Sequence, residues 1–225
     1  MPGSPLNTLI AIALAFPWAL LLARLATGIP SLILHEIAHG LAASTLGDPT
    51  AREAGRLRTN PLHHLDGMGT LLVLLMGIGW GRRMPYNPHR ARIAAPLAGP
   101  LMALSGPLVN LGLAYGASAL LASLGLEPHL PTTAWPDASE WLTVAARVNL
   151  GLALFSLLPV SPFDGWMLVE SWLPIRAAGR WQAWSGRTTL VLGIGLFILL
   201  MLPIPLYQAW IWPLANRLAA VLLAW

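Results

Sequence analysis

The chain has 225 residues, of which 56% are hydrophobic and 10% are charged, with a mean hydropathy of +0.65. So little polar surface excludes an ordinary soluble globular protein and predicts an all-α polytopic membrane protein. Cysteine is absent, which excludes disulfides and thiolate metal sites. The formal charge of +4 fits arginines in the loops of a membrane chain, and no nucleic-acid partner is expected.

Two apolar helices are predicted in the first 46 residues. Residues 5–26 are about long enough to cross the hydrocarbon core of a bilayer, with a kink expected at Pro17. No basic region precedes them and no small-residue cleavage site follows, so we expect a retained first helix. Pro30 suits the first turn of a second helix, which we expect to end near Leu46 because a Gly-Asp-Pro sequence follows.

The next two stretches do not predict a further span. Residues 50–65 hold three arginines and an Asn-Pro pair, as expected for a loop. Residues 69–79 are apolar but too short to cross the bilayer as a helix. They predict a short membrane-embedded re-entrant β-hairpin between helices 2 and 3. We expect the 60–80 region to offer a strand edge to an extended substrate.

A long helix and a returning helix are predicted in the second half of the chain. Residues 94–124 predict one helix with kinks at its Gly-Pro pairs, and residues 141–158 predict the helix that returns across the membrane. Pro159 and Pro162 end the returning helix and predict irregular backbone at Asp164.

The last two apolar segments, 188–202 and 206–225, bring the prediction to about six transmembrane helices in a single domain, 1–225, without internal repeats. With the hairpin returning to its own side, ten of the 13 arginines fall on one face of the membrane. The positive-inside rule makes that face cytoplasmic and places both termini there. The ten are Arg52, Arg56, Arg58, Arg82, Arg83, Arg90, Arg92, Arg176, Arg180 and Arg187.

Three titratable side chains interrupt the second predicted helix. His35 and His39 are four residues apart, so both imidazoles lie on one helix face and can reach a single metal ion. Glu36 lies beside the first histidine, where a carboxylate can take a proton from an attacking water. Ionisable groups at membrane depth cost roughly 2.5–3.5 kcal/mol each, which favours a metal site over the alternatives of a polar helix contact or a proton relay.

A catalytic zinc site needs a third protein ligand and an open position for water. Asp48, His63, His64, Asp66 and Asp164 are the candidates, and periodicity alone does not choose among them. Asp48 and Asp66 lie in sequences that suit caps or turns. Asp164 is favoured because an apolar helix leads directly into it and two prolines free its backbone, as happens where broken helices line a cavity.

Five motifs taken together are more specific than the metal-binding pattern alone. They are His35-Glu36-Ile37-Ala38-His39; Arg58-Thr59-Asn60-Pro61-Leu62-His63-His64-Leu65-Asp66-Gly67-Met68-Gly69-Thr70; Gly79-Trp80-Gly81-Arg82 leading to Asn87-Pro88; Ala98-Gly99-Pro100; and Leu157-Leu158-Pro159-Val160-Ser161-Pro162-Phe163-Asp164-Gly165. Over most of the chain they resemble the site-2 protease family of intramembrane zinc metalloproteases, in its compact form without a PDZ or CBS domain.

The resemblance implies an integral, multi-pass protein of a bacterial or archaeal cell membrane that performs regulated intramembrane proteolysis. It implies that His35, His39 and Asp164 bind one zinc ion and that Glu36 is the general base. The implied partners are a transmembrane protein or peptide as substrate and the lipid bilayer. Because PDZ and CBS domains are missing, substrate selection rests on the membrane core or on a regulatory membrane partner.

One position departs from the pattern of that family. Members usually carry Asn just before Leu-Leu-Pro, thought to help hold the substrate carbonyl, and this chain has Ser156 there. A hydroxyl can donate one hydrogen bond, with shorter reach. Asn149, about 10 Å away along the same helix face, cannot take over that place unaided but is a second candidate substrate contact. His64 is a third candidate, with an interfacial role as its alternative.

Two other functions are compatible with these residues. A membrane metal transporter or sensor would need ligands along a path through the bilayer, whereas these candidates cluster at one depth. A catalytically silent membrane scaffold of the same fold would bind membrane helices without cutting them, and Ser156 is the residue that points to it. The sequence does not identify an individual substrate.

Overall fold

The computed structural model describes residues 18–131 and 135–201. Within these ranges the chain is all-helical, as predicted. The predicted last span, 206–225, and most of the first, 5–26, lie outside the described residues. The helices are α1 Trp18–Thr45, α2 Thr50–Glu53, α3 Gly67–Met76, α4 Ala95–Ser123, α5 Ala138–Ser156, α6 Asp164–Trp172 and α7 Ile175–Met201.

Helix α1 runs without interruption through Pro30, so the prediction that a second helix begins there is wrong. Proline removes one backbone hydrogen bond from a helix interior. Packing on both sides of this point offsets the loss, since Ala23 and Leu32 are buried in one hydrophobic cluster with Val148 of α5. The helix ends at Thr45, close to the predicted end.

Helices α1, α4 and α5 form the core that positions the candidate site. Helix α4 packs against both α1 and α5, and α1 also contacts α5. The predicted long helix, 94–124, agrees with α4. Helix α5 begins a turn earlier than predicted because Asp137 and Glu140 form a capping box, in which each side chain accepts a hydrogen bond from the backbone of the other.

Residues 67–76 form helix α3, so the predicted β-hairpin is wrong. Asp66 caps the helix, with its carboxylate accepting a hydrogen bond from the Gly69 N–H at 2.9 Å. Gly77 ends it in the left-handed conformation, with a φ of 76°. A helix of ten residues is too short to span a bilayer, but the caps at both ends are sufficient to stabilise a short helix here.

The chain returns from α3 through a very close backbone contact. A Cβ atom at Gly69 would lie 2.1 Å from the carbonyl oxygen of Trp80, so only glycine fits there. Leu65 and Gly81 form an isolated antiparallel bridge. Strand-like pairing in the described chain is limited to this bridge, and the expected strand edge of the 60–80 region is correspondingly short.

Two of the described helices, α1 and α4, are long and apolar enough to cross a membrane. Leu97, Leu101 and Leu108 of α4 leave more than half of their surface exposed, as an outer face toward lipid would. Helix α7 contains most of the predicted 188–202 span but begins at Ile175. The count of six spans treated 5–26 and the segment from Pro30 as separate helices, which the continuous α1 contradicts. The cytoplasmic position of both termini stays a prediction.

Replacing Gly69 with alanine should destabilise the fold. The new methyl group would overlap the Trp80 carbonyl, and overpacking of this kind costs about 1–3 kcal/mol. Gly67→Ala is the matched control, because a Cβ atom at Gly67 meets no atom within 4 Å. We expect thermal unfolding in lipid to show a lower transition temperature for Gly69→Ala and an equal or higher one for Gly67→Ala. Equal transition temperatures in both variants would contradict the close contact.

Candidate metal centre

Three buried side chains, His35, His39 and Asp164, bring ligand atoms to one point. The two Nε2 atoms of the histidines are 3.1 Å apart. The carboxylate oxygens of Asp164 lie 2.9 Å from Nε2 of His35 and 3.1 Å from Nε2 of His39. Ligand atoms of a tetrahedral zinc ion, with bonds of 2.0–2.1 Å, are about 3.3 Å apart. These residues therefore have nearly the spacing that zinc requires.

The position of Asp164 follows from a tight turn after α5. The sequence predicted irregular backbone here, but Asp164 is the first residue of α6. A Cβ atom at Gly165 would lie 2.1 Å from the carbonyl oxygen of Leu157, so the chain can fold back on α5 only with glycine at this position. The turn carries the Asp164 carboxylate to the two histidines of α1.

A chain of side-chain amides sets the tautomer of His35. Asn149 donates through Nδ2 to the Ala145 carbonyl, so its Oδ1 accepts from Nδ2 of Asn110 at 2.8 Å. The Oδ1 of Asn110 therefore faces His35 and accepts a hydrogen bond from Nδ1–H of that ring. The proton lies on Nδ1, and Nε2 presents a lone pair to the other ligands.

His39 is held in the same tautomer by the backbone of α4. Its Nδ1–H donates to the carbonyl oxygen of Met102 at 2.7 Å. Both Nε2 atoms then direct lone pairs at each other and at the carboxylate of Asp164, with no proton between them. Such a set of acceptors is stable around a cation, so the donor chemistry of this site fits a metal ion.

The three ligands meet in the space next to Gly106, which has no side chain to fill it. A Cβ atom at this position of α4 would lie 2.4 Å from Nε2 of His39 and 2.7 Å from Nε2 of His35. The helix backbone therefore borders the ligand atoms directly. The only sequence signal for this role was a Gly-Pro pair within an apolar helix, which we interpreted as a kink.

Glu36 lies beside the ligands on α1 with one oxygen uncommitted. Its Oε2 is buried and has no hydrogen-bond partner among the described residues. A Cβ atom at Gly81 would lie 2.8 Å from its Oε1, so the chain returning from α3 covers this carboxylate. Glu36, His35 and Asp164 border a cavity of about 20 Å³, which can hold about one water molecule.

The other candidate aspartates have structural roles. Asp48 accepts hydrogen bonds from the backbone N–H groups of Thr50 and Asn87 and so joins two loops. Asp66 caps α3 and also accepts from the indole Nε1–H of Trp80 at 3.0 Å. Neither belongs to the ligand cluster. Their interpretation as cap or turn residues agrees with these contacts.

His64 is buried, but it does not belong to the ligand cluster and does not line the cavity. Its Nε2 pairs with the carbonyl oxygen of Arg58, while its Nδ1 is buried without a hydrogen-bond partner in the described chain. Burial lowers the pKa of His64, because removal from water disfavours the charged imidazolium. His63, the remaining candidate, is exposed.

The two other predicted substrate contacts have their donors engaged within the protein. Ser156 lines the cavity, but its hydroxyl donates to the carbonyl oxygen of Ala153 at 3.0 Å. The amide of Asn149 is shared between Ala145 and Asn110. Asn110 itself was missed by sequence reasoning, since an isolated Asn in an apolar helix gives no hint of its partner.

A second group of ligand-type side chains lies at the start of α5. His129 is 3.7 Å from a carboxylate oxygen of Asp137 and 3.5 Å from one of Glu140. The capping box of α5 already accounts for the positions of both acidic side chains. His129 and Asp137 are also exposed, unlike the buried ligands on α1 and α6.

Comparison with known proteins identifies a relative along nearly the whole chain. The protein named "Putative zinc metalloprotease YwhC" from Bacillus subtilis (strain 168) is 35% identical over 209 residues, which cover 90% of each chain. No protein-family model matches the chain, and no solved structure matches it.

Gly106→Ala should abolish metal binding while the helix persists. A methyl group 2.4 Å from Nε2 of His39 would occupy the space in which the ligands meet. Gly112→Ala is the matched control on the same helix, because a Cβ atom there has no neighbour within 4 Å. We expect elemental analysis of the purified, folded protein to find about one zinc per chain in wild type and Gly112→Ala, as a single three-ligand site requires. Zinc retained by Gly106→Ala would argue against this site.

Asn110→Ala should weaken zinc binding without unfolding the protein. The substitution leaves Nδ1–H of His35 without its acceptor, and loss of such an outer hydrogen bond typically lowers metal affinity about 10–100-fold. Ser118→Ala is a suitable control, since it removes a buried hydroxyl of α4 that bonds only to its own helix. Competition with a zinc chelator would measure the affinity, and equal affinities for the two variants would contradict the role of Asn110.

Proposed function

The chain belongs to the zinc metalloprotease family of the Bacillus subtilis protein, and from that premise we propose that it is an intramembrane protease of the site-2 type. It would hydrolyse peptide bonds within or near transmembrane segments of membrane proteins. The observation that carries the proposal is the position of the buried ligands and Glu36. The two histidines and Glu36 lie within α1, a helix long and apolar enough to cross a membrane.

The proposed mechanism assigns binding and proton transfer to separate groups. His35, His39 and Asp164 would hold the zinc ion, which when bound would supply Lewis-acid chemistry to a carbonyl group and to water. Glu36 takes a proton from the attacking water on Oε2, the buried oxygen that has no partner in the described chain, and later delivers it to the leaving amine. Asn110 keeps His35 in the tautomer that binds metal.

The proposed setting is a bacterial or archaeal cell membrane, in which the chain is a multi-pass protein. Along the helix axis, His35 and His39 lie about 15 Å and about 9 Å before the end of α1. This depth, with the exposed leucines of α4 facing lipid, supports a transmembrane protein or peptide as the substrate. We further propose that each chain binds one zinc ion and that a membrane partner regulates the protein.

Cleavage of single-span membrane proteins by the purified chain in lipid tests this proposal. Glu36→Gln should keep zinc and lower the cleavage rate roughly 10²–10⁴-fold, because it removes the group that accepts the proton. Glu53→Gln is the matched control, since Glu53 is exposed and pairs with Arg90 on the surface. Mass spectrometry of the products should place the cut within or near the apolar span, and a chelator should prevent it.

Two other outcomes would each favour a different function. Zinc flux into vesicles that is unaffected by Glu36→Gln would indicate a metal transporter. Stable binding of membrane helices by a zinc-loaded chain that yields no product would indicate a silent scaffold, which the engaged hydroxyl of Ser156 would then explain.

A further inference from the structure

The cavity beside the candidate ligands is bordered by both acidic and basic side chains. Its lining includes the carboxylates of Glu36 and Asp164 and, from other parts of the chain, Gly81, Arg83 and Ser156. Its volume of about 20 Å³ can hold about one water molecule or one carbonyl oxygen. A hydrogen-bond donor directed into this space would therefore act on the reacting atoms themselves.

Peptide hydrolysis places negative charge in such a space. The water oxygen bonds to the carbonyl carbon as Glu36 takes one of its protons, and the π electron pair of the carbonyl moves onto its oxygen. When the carbonyl re-forms, the C–N bond breaks and the nitrogen takes the proton from Glu36, which yields a carboxylic acid and an amine. Fixed donors near the charged oxygen are usually the largest single contribution to catalysis.

Ser156 is poorly placed to be that donor. Its hydroxyl has one hydrogen, which it donates to the carbonyl oxygen of Ala153 at 3.0 Å. Asn149 shares its amide between Ala145 and Asn110 and does not line the cavity. The predicted substrate contacts on α5 therefore leave the charged oxygen without a side-chain donor.

Arg83 lines this cavity and has a donor without a partner in the described chain. Its Nη2 donates to Oγ of Ser161 at 3.0 Å, and that hydroxyl lies 2.9 Å from Oγ1 of Thr189, so one corner of the guanidinium is anchored. Its Nε is buried and has no hydrogen-bond partner among the described residues. Guanidinium stays charged and presents its donors in a rigid planar fork. Arg83 is the arginine that lines this cavity in the described part of the chain.

Resting on the proposed function, we infer that Arg83 is a catalytic residue. Its guanidinium donates a hydrogen bond to the oxygen of the scissile carbonyl and stabilises the negative charge that develops there. Anchoring by Ser161 holds the side chain in place before the substrate arrives, so little reorganisation is needed during the reaction. Arg83 thereby supplies the donor that Ser156 does not.

Steady-state cleavage in lipid bilayers tests this role with three variants. Arg83→Gln removes the charge, and Arg83→Lys keeps the charge but lacks the planar set of guanidinium donors. Arg82→Gln is the control, because the Arg82 side chain is exposed. Arg83→Gln should lower kcat about 10²–10³-fold and leave KM within about threefold. Arg83→Lys should recover part of the loss, and Arg82→Gln should stay within about twofold of wild type.

A binding measurement provides a readout without turnover. A phosphinic peptide spanning the cut carries a tetrahedral anion in place of the carbonyl, so it should bind Arg83→Gln about 100-fold more weakly than wild type. Uncut substrate should bind the Glu36→Gln, Arg83→Gln double variant as tightly as Glu36→Gln alone. Zinc content and helicity should be equal in all variants.

Equal weakening of substrate and phosphinic peptide would overturn the role of Arg83, as would a kcat within about threefold of wild type for Arg83→Gln. If Arg83→Gln does not fold, the kcat of Arg83→Lys provides the test, because lysine keeps the charge and most of the volume of arginine. A kcat equal to that of wild type would then contradict the role of Arg83. Cleavage that persists in Glu36→Gln would contradict the proposed function itself. Cleavage that is lost in Glu36→Gln yet unchanged in Arg83→Gln would contradict only the role of Arg83.

Discussion

The mutual repulsion of the three ligand side chains is the constraint on which the site depends. His35 and His39 face each other with lone pairs 3.1 Å apart, and Asp164 adds a buried carboxylate within about the same distance of both. In a buried setting such a group of acceptors is unfavourable unless a cation lies among them. The surrounding protein must therefore hold the ligands in place against this repulsion and leave room for the ion.

Helix α4 meets both requirements, although it contributes no metal ligand. Met102, Gly106 and Asn110 follow one another at intervals of four residues and so lie on one face of the helix. The first supplies the carbonyl that orients His39, the second leaves the space for the ligands, and the third orients His35. A single face of α4 thus fixes the tautomers of both histidines and the separation between α1 and α4.

Sequence reasoning identified the parts of the site that depend on local periodicity. The four-residue spacing of His35 and His39 is sufficient to place both on one face, and the prolines before Asp164 marked the end of a helix. The helix at 67–76 was missed although Asp66 and Gly77 are typical cap residues at its two ends. The length of the segment was compared only with the thickness of a bilayer, which ten residues cannot span as a helix. Asn110 and Arg83 could not be found, since their roles depend on how separate helices and loops meet.

The size of the cavity limits how a peptide can reach the ligands. About 20 Å³ accommodates one small group, so a peptide can bind only if one wall of the cavity moves. Movement of α1 would disturb the ligands, because contacts with α4 orient both histidines. The segment that holds Gly81 and Arg83 is joined to its neighbours by the Leu65–Gly81 bridge and the Arg83–Ser161 contact. The bridge at Gly81 and the Arg83–Ser161 contact involve different residues, so a change at the bridge need not break the contact that anchors Arg83.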